Sequence, residues 1–171
     1  MNETSIADAM PKVGDIAPDF TLRDDTNTPR RLTEQRGHWV VLYFYPEDDT
    51  PGCTTEACQF RDADAGYREL NAIVWGASKL GTGSKAAFKA KFGLPFTLLA
   101  DEDHSVSELY GTWVEKNNYG RKSMGVQRAT FVIDPAGRIR AVWPRVKADG
   151  HADVVLERIR ELQAQDSGAK V

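Results

Sequence analysis

Six consecutive apolar or aromatic residues, Val40 to Tyr45, constrain this chain more than any other stretch. Such a run belongs to a strand buried on both faces, because side chains pointing either way must avoid water. Pro46 stops it. Pro51 then presets the backbone for a helix and gives up an N–H that would lack an intrahelical partner there anyway. A helix is therefore predicted to begin close to Gly52 and Cys53.

A cysteine at a helix N-terminus sits where unpaired N–H groups and aligned peptide dipoles favour a thiolate over a thiol, and the thiolate is the nucleophile. Glu47, Asp48 and Asp49 work against this, so an added cation is needed. Arg128 is the candidate, since it immediately precedes a second strand-like run, Ala129 to Ile133. Cys58 follows Cys53 by five residues. In an ideal helix that separation gives roughly 7.5 Å of rise and about 140° of rotation, hence Cα atoms about 8.7 Å apart. A disulfide takes Cα atoms about 4.4–6.8 Å apart, so the pair can bridge only if the first turn or two unwinds. The spacing sets the pair apart from Cys-x-x-Cys and suggests a nucleophile with a resolving partner kept at a distance. The bland reading is two buried free thiols acting as small hydrophobes.

Around this stretch the chain alternates strands and helices. Asp19 to Arg23, a turn at Asp24 to Asn27 and a short return predict an N-terminal hairpin. The helix from Cys53 is predicted to run to about Leu70, and Ala72 to Ala77 reads as the parallel strand completing a right-handed crossover. Ser84 is predicted to cap a helix through Phe92, followed by a strand over Leu94 to Ala100. Next come a short helix from Asp103-His104-Ser105 to Tyr110-Gly111, a strand at Trp113 to Lys116, and a polar loop from Asn117 to Ser123. Val126 to Ile133 and Arg138 to Trp143 pair as a hairpin across Asp134-Pro135-Ala136-Gly137. An amphipathic helix opens at Asp149 to Asp153 and carries Val154, Val155, Leu156, Ile159 and Leu162. The fold class is α/β, a central mixed β-sheet flanked by helices with an N-terminal hairpin. Residues 13–165 form one domain, with Met1 to Lys12 a mobile segment and Asp166 to Val171 a mobile tail.

The net charge of −3 gives no electrostatic case for nucleic acid or an anionic membrane surface. No apolar run approaches a membrane span and no leader pattern opens the chain, so a cytoplasmic protein is expected. In a reducing cytosol a disulfide between the two cysteines would be transient. His38, His104 and His151 lack ligand-like spacing, so no metal is expected and solvated loop or capping positions are the reading for them. The four tryptophans read as core or pocket wall.

Pro46, Thr50 and Cys53 reproduce a Pro-x-x-x-Thr-x-x-Cys pattern, and Phe44 to Cys58 as a whole resembles the peroxiredoxins, specifically the peroxiredoxin Q or bacterioferritin comigratory branch. The likeness continues through Leu94-Pro95-Phe96, Tyr110-Gly111, Arg128 to Asp134 and Gly150-His151-Ala152. It departs at Ser78-Lys79-Leu80 and Ser84-Lys85, where relatives usually show Ser-x-Asp and then Ser-His. The resemblance implies a thioredoxin-like sandwich and a thiol peroxidase acting on hydrogen peroxide and organic hydroperoxides, with no cofactor. On it, Cys53 is the peroxidatic nucleophile, Thr50 orients the peroxide, Pro46 shields the thiolate, Arg128 supports thiolate and transition state, and Glu56 holds the arginine. Some relatives place the resolving cysteine in the second α/β repeat instead of on the first helix, but no cysteine follows Cys58, which takes that role here. Thioredoxin or a similar dithiol would reopen the disulfide, and a monomer is expected. The competing classes are a thioredoxin-like disulfide reductase and a redox-regulated binding module.

Overall fold

The computed structural model describes residues 9–168. Its elements are β1 (Thr21–Asp24), β2 (Pro29–Arg31), β3 (Trp39–Phe44), α1 (Pro51–Asp62), α2 (Asp64–Glu69), β4 (Ala72–Ser78), α3 (Thr82–Phe92), β5 (Thr97–Ala100), α4 (Ser105–Leu109), β6 (Trp113–Asn118), β7 (Arg121–Val126), β8 (Ala129–Ile133), β9 (Ile139–Trp143) and α5 (His151–Gly168). Seven strands form one sheet in the order β2-β1-β5-β4-β3-β8-β9, while β6 and β7 pair separately. The β3–β4 and β4–β5 pairs are parallel and the remaining pairs antiparallel. This is a mixed central sheet flanked by helices, a thioredoxin-like fold.

All of β3 is buried, for the reason its composition gives. Trp39, Val41, Tyr43 and Tyr45 pack on one sheet face with residues of α1, α3 and α5, while Val40, Leu42 and Phe44 pack on the other with Val106, Tyr110 and Val126. The period of two thus serves two cores at once. Tyr43 stacks on Phe60 at 4.8 Å between ring centroids, and its ring lies over Gly76, where a Cβ would come within 2.7 Å of it. Only glycine fits there.

Several boundaries differ from the sequence reading. The helix expected to reach Leu70 divides at Ala63 (φ −93°, ψ 4°), so that α1 packs on α5 and α2 turns onto β4. α3 begins at Thr82 with Gly81 at the cap position, because the Ser84 hydroxyl is taken by Asp48 at 2.7 Å. β5 begins only at Thr97, after the left-handed Gly93 and after Pro95, which has no N–H for a ladder. The polar loop expected over Asn117 to Ser123 is half of a hairpin. Tyr119 and Gly120 both have positive φ, as a tight two-residue turn demands. The ends also differ: Met10 is buried, and Asp166 to Gly168 lie in the last turn of α5, where Asp166 pairs with Arg140 at 2.8 Å. The rest of the two expected mobile ends, residues 1–8 and 169–171, lies outside the described residues.

Candidate active site

The ladder between β3 and β8 ends with Phe44 opposite Ala129. The segment leaving β3 at Tyr45 and the segment entering β8 at Arg128 therefore emerge at the same end of the sheet. Period two places Arg128 on the face of Thr130 and Val132, and Val132 belongs to the core cluster that holds Cys53. The Arg128 backbone is fixed as well, its carbonyl accepting from the Val146 N–H at 3.0 Å.

α1 starts at Pro51, just ahead of the start expected close to Gly52 and Cys53, with Thr50 in the cap position. The Thr50 carbonyl accepts from Thr54, but its hydroxyl turns back to donate to the Glu47 carbonyl at 3.0 Å and leaves the helix N–H groups uncapped. Cys53 lies in the first turn, 1% exposed, among N–H groups that lack intrahelical partners. Arg128 reaches it from the sheet. Its Nη2 donates to Cys53 Sγ at 3.3 Å, and its Nη1 donates to Glu56 Oε1 at 2.7 Å. Glu56 is fully buried rather than a surface carboxylate, and its second oxygen has no partner. Burial pushes its carboxyl up to about 7, with Arg128 pulling the other way. Burial also works against the charged guanidinium, but Glu56 and Cys53 more than offset this and raise Arg128 above its ordinary value. Gly52 lets the guanidinium in: a Cβ there would lie 3.2 Å from Nη2.

The structure thus brings Cys53, Arg128 and Glu56 into one contact network, with Thr50 and Pro46 on the adjoining segment and Pro46 half-buried. Cys58 is half-buried, both thiols are free, and α1 is continuous between them. Past Cys58 the helix is tied down. The Gln59 amide donates to Asp149 at 2.7 Å and accepts from the Gly150 N–H at 2.8 Å, and Phe60 is completely buried.

The acids expected to crowd the approach are mostly neutralised. Lys85 pairs with Asp48 at 3.0 Å and Lys91 with Asp49 at 2.7 Å. The sequence marks Lys85 only as part of the departure from the resembling family and gives no sign of its pairing, since an isolated lysine on a helix reads as solvated. His151, taken as solvated or capping, is buried: its Nε2 lies 2.8 Å from the Thr130 hydroxyl and its ring packs edge-on against Phe60 and Trp143. Burial, then Arg128, pushes it down to about 4, so it stays neutral. His38 is exposed and His104 stacks on Trp113 at 4.0 Å. Trp39 and Trp75 are buried, Trp113 and Trp143 half-buried.

A family model described as the AhpC/TSA family matches residues 13–142. The chain belongs to that family, in its Bcp/peroxiredoxin Q branch. Peroxiredoxin Bcp of Bacillus subtilis is 40% identical over 151 residues, covering 88% of this chain and 96% of the relative. A bcp protein of Coxiella burnetii is 49% identical over 148 residues, covering 86% and 98%. Among solved structures, a cysteine mutant of Xylella fastidiosa PrxQ superposes with a TM-score of 0.85 at 33% identity, covering 89% of this chain and 97% of the other. The bacterioferritin comigratory protein of Xanthomonas campestris gives 0.80 at 36%, covering 83% and 90%. This peroxiredoxin is therefore a thioredoxin-fold peroxidase, and its chemistry is to be sought at its two cysteines.

Proposed function

We propose that Cys53 is the peroxidatic sulfur of a thioredoxin-dependent, atypical two-cysteine peroxidase and that Cys58 resolves it. The observation that carries this reading is the Arg128 guanidinium spanning Cys53 Sγ and Glu56. The thiolate attacks the terminal oxygen of a hydroperoxide, an S–O bond forms as the O–O bond breaks, and the departing oxygen takes a proton to leave as water or an alcohol. Charge moves from sulfur to the departing oxygen, so donors fixed beside the sulfur stabilise the transition state more than bound substrate. Arg128 and the first-turn N–H groups are such donors. Thr50 orients the peroxide and Pro46 keeps water from the sulfur.

Cys58 then attacks the sulfenic acid, water leaves, and a disulfide forms. Five helical residues hold the sulfurs too far apart, so the first turns of α1 must open. The Gln59 and Phe60 anchors support an opening that stops just past Cys58. Thioredoxin returns both thiols by exchange. Substrates include hydrogen peroxide and organic hydroperoxides. The Xanthomonas relative is described in terms of alkyl peroxide reduction. The enzyme is read as a monomer working in the cytoplasm; no helix of the described residues is long and apolar enough to cross a membrane.

The test is peroxide consumption with thioredoxin, thioredoxin reductase and NADPH. Cys53→Ser is expected to be inactive, and Cys58→Ser to react once and recycle poorly. Insulin reduction without peroxide turnover would instead mark a disulfide reductase.

A further inference from the structure

Behind the segment that carries Pro46 and Thr50 lies a polar cluster closed off from water. Lys85 and Ser78 are fully buried and Asp48 nearly so. The Lys85 ammonium donates to Asp48 Oδ1 at 3.1 Å, to Oδ2 at 3.0 Å, and to the Ser78 hydroxyl. Its three protons have three acceptors. Asp48 also accepts from the Tyr45 hydroxyl at 2.5 Å and from the Ser84 hydroxyl at 2.7 Å. The cluster joins the end of β3, the loop, the end of β4 and the first turns of α3. A buried ion pair is tolerable when its remaining lone pairs and protons are met in this way, and removing one partner leaves an uncompensated charge.

We propose that Lys85 is a positioning residue for the reaction at Cys53: it anchors Asp48, and with it the Pro46–Thr50 segment, and it cancels a buried negative charge that Arg128 does not reach. The inference rests on the reading of Cys53 as the reacting sulfur. Arg128, Tyr43, Lys85 and Lys116 all interact electrostatically with that sulfur, and Lys85 is itself faced by Asp48, Asp101 and the Tyr45 ring. Arg128 is committed to Glu56 and the sulfur, while Asp49 has its own cation in the exposed Lys91. Without Lys85, a thiolate would form beside an unpaired buried carboxylate, which disfavours it.

The experiment uses the full chain in a Cys58→Ser background, so that Cys53 is the sole sulfur of the cysteine pair. The pH profile of iodoacetamide alkylation and the rate with hydrogen peroxide are measured for K85M and for D48N/K85M. K85M is expected to move the alkylation midpoint up by about one pH unit and to slow the peroxide reaction at pH values below that midpoint, by at most about tenfold. D48N/K85M, with both charges gone, is expected to bring the midpoint back to within about 0.3 unit of the parent. An unmoved midpoint in K85M, or an equal shift in single and double variants, overturns the proposal. Should K85M fail to fold by circular dichroism, K85Q donates to Asp48 without charge and gives the same reading. Failure of the neutral double variant to fold would also count against the proposal, since it predicts that pair is tolerated. A parent protein that alkylates normally but ignores peroxide would sink the peroxidase reading instead, which keeps the two failures distinct.

Discussion

The Arg128 guanidinium, rooted in the sheet, lies 3.3 Å from the sulfur of Cys53, which sits on a helix, and no covalent or sequence-local link holds them together. Arg128→Met removes that donor and leaves Glu56 buried without a partner. The second-order rate with peroxide is expected to fall by about 10²–10³, the scale of losing one fixed transition-state donor. Arg128→Lys is expected to recover only part of it, because one ammonium cannot span both the sulfur and the carboxylate as the planar fork does. Stopped-flow measurement of the rate checks both.

Gly52→Ala separates fold from chemistry. Its φ is not in the left-handed region, so alanine suits the first helical turn, but the new Cβ would meet Arg128 Nη2 at 3.2 Å. The guanidinium must shift by a few tenths of an ångström. The melting temperature is expected to hold within a few degrees while the peroxide rate drops several-fold, since small misplacement of a catalytic group is costly.

Two buried groups give opposite pH slopes. Glu56 rises from 4.5 to about 7 on folding, so the native state holds the extra proton and stability falls as pH rises through that window. His151 falls from 6.5 to about 4, so the unfolded state takes the proton first and stability falls as pH drops through that window. Each contributes at most roughly 3 kcal/mol, and between about pH 4.5 and 6.5 they oppose each other. Denaturant unfolding of Glu56→Gln is expected to expose the acid-side loss, and that of His151→Gln the loss toward neutral pH. Parallel profiles for the two variants would contradict this.

Oxidation is expected to show as backbone opening. One equivalent of peroxide should speed amide hydrogen exchange across residues 53–58 by orders of magnitude, while Phe60 and the following turn stay protected. Cys58→Ser, which cannot close the disulfide, should keep the helix protected after oxidation.

The sequence showed which residues meet at the candidate site more fully than the architecture around them. β3, the start of α1 near Pro51, and β8 were legible because each rests on a continuous apolar run or on proline's fixed backbone. The meeting of Cys53 with Arg128 could be anticipated from two strand ends, and the buried Glu56 from its spacing in the resembling motif. What escaped was set by tertiary contacts. β7 is exposed at Arg121, Lys122, Ser123 and Met124, so it carries no alternation to read. The hydroxyls of Thr50 and Ser84 chose the Glu47 carbonyl and Asp48 over the helix ends beside them. Lys85 and His151 belong to residue types found at surfaces, and only the packed sheet makes them interior.

Glu56 rides on the same helix as the sulfur, three residues on, whereas Arg128 stays fixed at the entrance to β8. Unravelling of α1 past residue 58 would carry away both of the guanidinium's negative neighbours in one movement. The disulfide form would then present solvent with a bare cation where the reduced form hides one already paired. A reductant with an acidic rim would feel that attraction only once oxidation had occurred, so the two states would be distinguishable by charge as well as by shape.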